Sequence, residues 1–81
     1  MEPLLDVIDV KATGDYMLHL KFENGEERLF DMAPYMGKKP FVRLKNTPLF
    51  MLAKARYGTV VWPDNIDIAP ETLYHKSKPI R

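Results

Sequence analysis

The stretch Asp15–Met32, DYMLHLKFENGEERLFDM, decides the reading of this chain. Tyr16, Leu18, Leu20 and Phe22 fall on every second position, opposed by Asp15, Met17, His19, Lys21 and Glu23. A period of two sends alternate side chains to opposite faces, so the segment is expected to be a strand with one buried face. Asn24-Gly25 follows, two residues that tolerate positive φ and give a strong hairpin signal. Leu29 and Phe30 continue into a returning strand. Two registers compete. A two-residue loop sets Glu23 against Glu26 and Lys21 against Arg28, both like-charged pairs. A three-residue loop, Glu23-Asn24-Gly25 with a bulge at Gly25, sets Lys21 against Glu27 and puts Phe30 on the Leu18 face. Cross-strand pairs contribute roughly 0.2–1 kcal/mol each and like charges cost as much, which favours the bulged register.

Towards the N-terminus, Ile8, Val10 and Ala12 alternate with Asp9 and Lys11, predicting a first strand and hence a three-stranded antiparallel meander. After Asp31 the pattern changes. Pro34, Gly37 and Pro40 interrupt regular structure, and Phe41–Leu44 reads as one apolar turn. A helix is then expected, with Thr47 as N-cap, Pro48 at the first position, Leu49–Tyr57 as body and Gly58 as the stop; Lys54 and Arg56 would sit in its last turn. Thr59–Trp62 is a β-branched run and reads as a fourth strand. Asp64 and Asn65 suit a turn after Pro63, with Asp67 bonding backbone amides on the way to a last helical turn opened by Pro70. The expected fold is α+β: a small antiparallel sheet, built from an N-terminal three-strand meander plus a C-terminal strand, with one main helix packed on it. Residues 1–74 form the single domain and residues 75–81 a basic tail that frays. Its core is expected to hold Tyr16, Leu18, Leu20, Phe22, Phe30, Leu49, Phe50, Leu52 and Trp62.

Composition narrows the function classes. A chain of 81 residues buries only about 60–65% of its unfolded surface, so further stabilisation by oligomerisation is attractive. With no cysteine there are no disulfides and no thiolate metal ligands. No apolar run approaches the roughly 20 residues of a membrane-spanning helix. The N-terminus, MEPLLDVIDV, is acidic rather than a basic region leading into an apolar one, so no signal peptide is expected and the location is expected to be cytoplasmic. Net charge is +1, but it is unevenly placed. From Met32 to Pro63 there is no acid, while Lys38, Lys39, Arg43, Lys45, Lys54 and Arg56 are all positive. These six are the candidate partner-binding residues.

Other chemistry has weak support. Asp64, Asn65 and Asp67 resemble a piece of a calcium loop but lack its ladder and distal Glu. His19 and His75 are far apart in sequence, so no metal site is expected. Ser77, the one serine, lies in the tail, leaving no nucleophile for a catalytic triad. Asp31, Asp67 and Glu71 could converge as paired carboxylates, yet sequence shows no burial that would tune them. No catalytic residues and no cofactor are expected. Trp62 reads as core with its N–H hydrogen-bonded, and the five methionines as gap fillers.

Phe22, Asn24, Gly25, Asp31, Pro34, Leu49, Phe50, Trp62, Asp67, Ile68, Pro70, Glu71, Leu73 and Tyr74 form an ordered pattern along nearly the whole chain. It resembles a bacterial family of small proteins, domain-of-unknown-function family 2442, departing from the family's usual turn at Asn65-Ile66. The resemblance implies an α+β fold and no established activity, with Asn24, Gly25, Asp31, Trp62, Asp67, Pro70, Leu73 and Tyr74 as structural motif positions. Some longer members resemble this chain followed by a helix-turn-helix domain, and others are encoded beside small partners in toxin–antitoxin-like pairs. No DNA-reading helix is expected after the motif here. The resemblance therefore implies a regulatory or protein-interaction module. The expected partners are a second copy of the chain, in a homodimer, or a small protein. The alternatives are a nucleic-acid accessory using the acid-free stretch 32–63 and, less favoured, a hydrolase using clustered carboxylates.

Overall fold

The computed structural model describes residues 5–46 and 48–80, and the expected N-cap Thr47 lies outside them. Strands β1 (Val7–Ala12), β2 (Met17–Phe22) and β3 (Glu27–Asp31) form the antiparallel meander. The hairpin between β2 and β3 takes the three-residue loop: Lys21 faces Glu27 and Leu18 faces Phe30. Gly25 has φ +88° and donates its N–H to the Phe22 carbonyl at 2.9 Å, while Phe22 N–H reaches Glu26 O at 2.9 Å. Leu18, Leu20, Phe22 and Phe30 are fully buried.

β1 carries a bulge. Val7 pairs with Phe22 but Asp9 pairs with Lys21, so Ile8 is an extra residue. The bulge shifts the phase of the alternation: Val7, Val10 and Ala12 face inward, and Ile8, expected inside, is 54% exposed.

The expected helix Pro48–Tyr57 is not formed. A 3₁₀ turn occupies Pro48–Leu52, and residues Lys54–Arg56 are strand β4, paired with β5 (Thr59–Trp62). Two local facts explain the change. The Phe50 carbonyl accepts the Trp62 indole N–H at 3.0 Å and the Ala53 N–H at 3.3 Å, so it does not take the fourth-residue amide that would propagate an α-helix. Tyr57 and Gly58 both have positive φ, +55° and +77°, the geometry of a two-residue hairpin turn. Gly58 therefore turns a hairpin rather than stopping a helix. Leu52, expected in the core, is half exposed, and Tyr16 and Leu49 are only partly buried. Strand β6 (Ile66–Ile68), which sequence reading did not anticipate, pairs with β5 after a turn in which Asp64 and Asn65 also have positive φ.

The one α-helix among the described residues is α1 (Pro70–Lys76), with Pro70 in its first turn and His75 and Lys76 in its last. Ser77 is buried, and Lys78–Pro79 (β7) pair with Arg28 and Leu29 on the outer edge of β3. The fold is thus α+β, with two small antiparallel sheets, β1-β2-β3-β7 and β4-β5-β6, in place of the single sheet expected. β1 lies against β4, where Val7 N–H bonds the Gly58 carbonyl at 3.0 Å. Ring contacts run from one sheet to the other: Phe30 on Tyr35, Tyr35 on Phe41, Phe41 on Trp62, Trp62 on Phe50 and Phe50 on Tyr16, with centroids 5.1–6.4 Å apart.

Candidate functional site

Most acids of the first sheet have partners within the chain. Glu23 accepts from Asp6 N–H at 2.6 Å, Asp15 accepts from the Thr13 hydroxyl, and Asp31 accepts from Ala33 N–H at 2.9 Å. Glu27 meets His19 Nε2 at 3.0 Å. Glu26 is the most engaged. It accepts from the Tyr74 hydroxyl at 2.8 and 3.0 Å, from Asn24 Nδ2 at 2.8 Å and from Arg28 Nη1 at 3.0 Å. These donors, the Tyr74 hydroxyl foremost, hold its carboxyl below the usual glutamate value. Arg28 also donates through Nε to the Ser77 hydroxyl at 2.7 Å and through Nη2 to the Ser77 carbonyl at 3.0 Å, and its guanidinium lies 4.4 Å from the Tyr74 ring centroid. The ring of Tyr74 meets Phe22 edge-on at 5.2 Å. This network fastens α1 and β7 to β3.

The motif positions are thereby placed. Asn24 accepts from Glu26 N–H at 3.0 Å and shapes the loop with Gly25. Asp31 starts the turn Ala33–Tyr35, Trp62 closes the 3₁₀ turn, Pro70 opens α1, Leu73 is fully buried and Tyr74 anchors Glu26. Asp67 departs from expectation. It is exposed in β6 opposite Val61 and bonds no backbone amide among the described residues, because strand alternation puts Ile66 and Ile68 in the core and Asp67 on the other face. Asp31, Asp67 and Glu71 are each exposed. Among the described residues no group of three or more His, Asp or Glu could hold a metal ion.

The basic stretch behaves differently. Lys38, Lys39, Arg43, Lys45, Lys54 and Arg56 are all exposed. Arg43 reaches Asp64 at 3.3 Å, and Lys38 Nζ lies 5.9 Å from the Tyr35 ring centroid. The side chains of Lys39, Lys45, Lys54 and Arg56 bond no other described residue. None of the six pairs with the acidic hairpin. Two groups result. Lys38, Lys39, Arg43 and Lys45 stand on the turns between residues 36 and 46, and Lys54 and Arg56 stand on the outer face of β4. Exposed apolar side chains are interleaved with them: Val42, Met51 and Leu52, with Tyr57 93% exposed at the hairpin tip.

The outer face of β4 and β5 holds a groove of about 300 Å³ lined by Leu52, Lys54, Arg56, Val61, Trp62 and Pro63. Reading Lys54 and Arg56 as helical hid it. Their alternation across Ala55 is the signal that places both on one strand face. A second concavity, of about 310 Å³, lies on the outer face of the first sheet among Asp9, Lys11, His19, Lys21 and Glu27. It too went unread, since charged positions opposite a buried strand face look like solvated surface.

The model of a family described as protein of unknown function (DUF2442) matches residues 7–79. No curated protein and no solved structure matches the chain. Among the described residues no helix is long and apolar enough to cross a membrane.

Proposed function

The chain belongs to the DUF2442 family of proteins of unknown function, and from that premise we propose that it is a small protein-interaction or regulatory module rather than an enzyme. The observation that carries this reading is the exposed, acid-free basic stretch. The side chains of Lys39, Lys45, Lys54 and Arg56 bond no other described residue, and exposed Val42, Met51, Leu52 and Tyr57 lie between and beside them. Apolar contact area with a cationic surround suits a protein partner: the apolar part supplies adhesion and the charges set orientation and association rate. In this reading the module works in the bacterial cytoplasm as a homodimer, with a small protein, or with both, as in a toxin–antitoxin-like pair.

Capture from native cytoplasm with the full chain as bait tests the reading, at low and high salt and with and without nuclease. One protein retained after nuclease, and lost when Lys38, Lys39 and Arg43 are replaced by Glu or when Lys54 and Arg56 are, supports it. Retention that vanishes with nuclease replaces it with a nucleic-acid accessory role, whose affinity would fall steeply with salt.

A further inference from the structure

The groove on β4 and β5 has a pattern that specifies an occupant. Leu52, Lys54 and Arg56 fall at alternate positions and line one wall, while Val61, Trp62 and Pro63 supply the rest. Val61 is the cross-strand partner of Lys54, so apolar floor and cation sit side by side. No acid lines the groove. The nearest on this face by register is Asp67, across Val61 on β6 and so two strands, roughly 10 Å, from Lys54. It repels an anion at the β6 side and leaves the β4 side favourable. About 300 Å³ is at the small end for a ligand site and holds one or two side chains rather than a cofactor.

We propose that the β4–β5 groove docks a short extended segment of a partner protein that carries an aliphatic side chain followed by two carboxylates at alternate positions. The aliphatic group lies over Leu52 and Val61. The carboxylates meet Lys54 and Arg56, whose spacing of two residues, about 7 Å along the strand, matches that of alternate side chains in an extended peptide. This deepens the interaction-module reading and rests on it.

The chain has one tryptophan, and it lines the groove, so intrinsic fluorescence reports occupancy. The probe is a blocked synthetic peptide containing Leu-Thr-Asp-Thr-Glu, and its control contains Leu-Thr-Asn-Thr-Gln. The expected result is a saturable change in Trp62 emission with the acidic peptide, at least about tenfold weaker with the amide control and with the K54E/R56E variant, and unchanged with K38E/K39E. Circular dichroism confirms that K54E/R56E, altered only at exposed positions, keeps the fold. Equal binding of the two peptides, full binding by K54E/R56E, or no saturation at millimolar peptide overturns the groove assignment. So does displacement of the peptide by a single-stranded oligonucleotide at lower concentration. A partner captured from cytoplasm by K54E/R56E as well as by the unaltered chain would defeat the groove alone and leave the module reading standing.

Discussion

Glu26 in the first sheet and Arg56 in the second are both charged residues beside a hairpin turn, and they have opposite lives. Glu26 accepts from three donors, Tyr74, Asn24 and Arg28, and joins β3 to the C-terminal helix and strand. The Arg56 side chain bonds no other described residue and lines a groove. The contrast extends to their surroundings. Carboxylates of the first sheet are consumed in loop shaping, turn initiation and cross-strand pairing, whereas cations of residues 38–56 project outward. An uneven charge distribution along a chain is thus a poor guide to internal pairing. Here it separates the charges that hold the fold from those left available to a partner.

Four measurements press on that contrast. The largest effect belongs to the buried face of the first sheet: Leu20→Ala should cost about 2–5 kcal/mol in denaturant unfolding, because a fully buried side chain leaves a cavity between the sheets. A loss under about 1 kcal/mol would mean that this face is not the centre of the fold. Next is Gly58→Ala. The residue sits at φ +77°, and an added Cβ would lie 2.5 Å from Asp6 Oδ1. The left-handed backbone alone costs about 1–2 kcal/mol, so a neutral outcome would contradict the hairpin turn that replaces the expected helix.

The third concerns pH. Glu26 has its folded-state pKa below the ordinary value of 4.5, chiefly through the Tyr74 hydroxyl. A carboxyl lowered by folding favours the native state at pH above its unfolded pKa, and that support disappears as acid protonates it through the lower folded value. The melting temperature of the unaltered chain should therefore fall more steeply below about pH 4.5 than that of Glu26→Gln, with Tyr74→Phe intermediate. Parallel curves would show that the network carries no net preference for the ionised form. The smallest effect on stability is expected for the triple Lys38/Lys39/Arg43→Glu variant, within about 0.5 kcal/mol, since these side chains are exposed. Light scattering at tens of micromolar should nevertheless show the unaltered chain as a dimer and this variant shifted towards monomer. A monomer in both cases would leave the basic stretch to a different partner.

Legibility from sequence follows the range of the interactions involved. The meander could be read because Leu18, Leu20, Phe22 and Phe30 alternate without a break, and its register because Lys21 with Glu27 beats Lys21 with Arg28. Ile8 departs from its expected face because the bulge falls on it: Val10 and Ala12 keep the inward phase, Val7 takes the inward place before them, and nothing in VIDVKA announces the extra residue. Pro48–Tyr57 failed for a different reason. Every local signal there, Pro48 at the start, apolar spacing and Gly58 at the end, suits a helix, but the Trp62 indole twelve residues away takes the Phe50 carbonyl, and β5 needs a ladder partner. Tertiary demand overrode propensity. The six basic positions were visible as candidates. Their division into a loop group and a strand-face group was not, because it depends on which of them alternate along β4. The segment after Tyr74 looked like a tail since HKSKPIR is polar, yet Arg28 holds Ser77 across the fold and Lys78–Pro79 pair with β3.

The bond from Val7 N–H to the Gly58 carbonyl gives one amide proton an unusual position. It belongs to the end of β1 but is protected by the turn of a hairpin in the other sheet, fifty-one residues on. Exchange of that proton with deuterium needs the two sheets to part there, not the melting of either ladder. If Val7 exchanges faster than Leu18 and Leu20 at equal intrinsic rates, the sheets swing apart as pieces before either dissolves, and the hairpin is a hinged leaf on a firmer page. If it exchanges with them, the two sheets open as one cooperative unit.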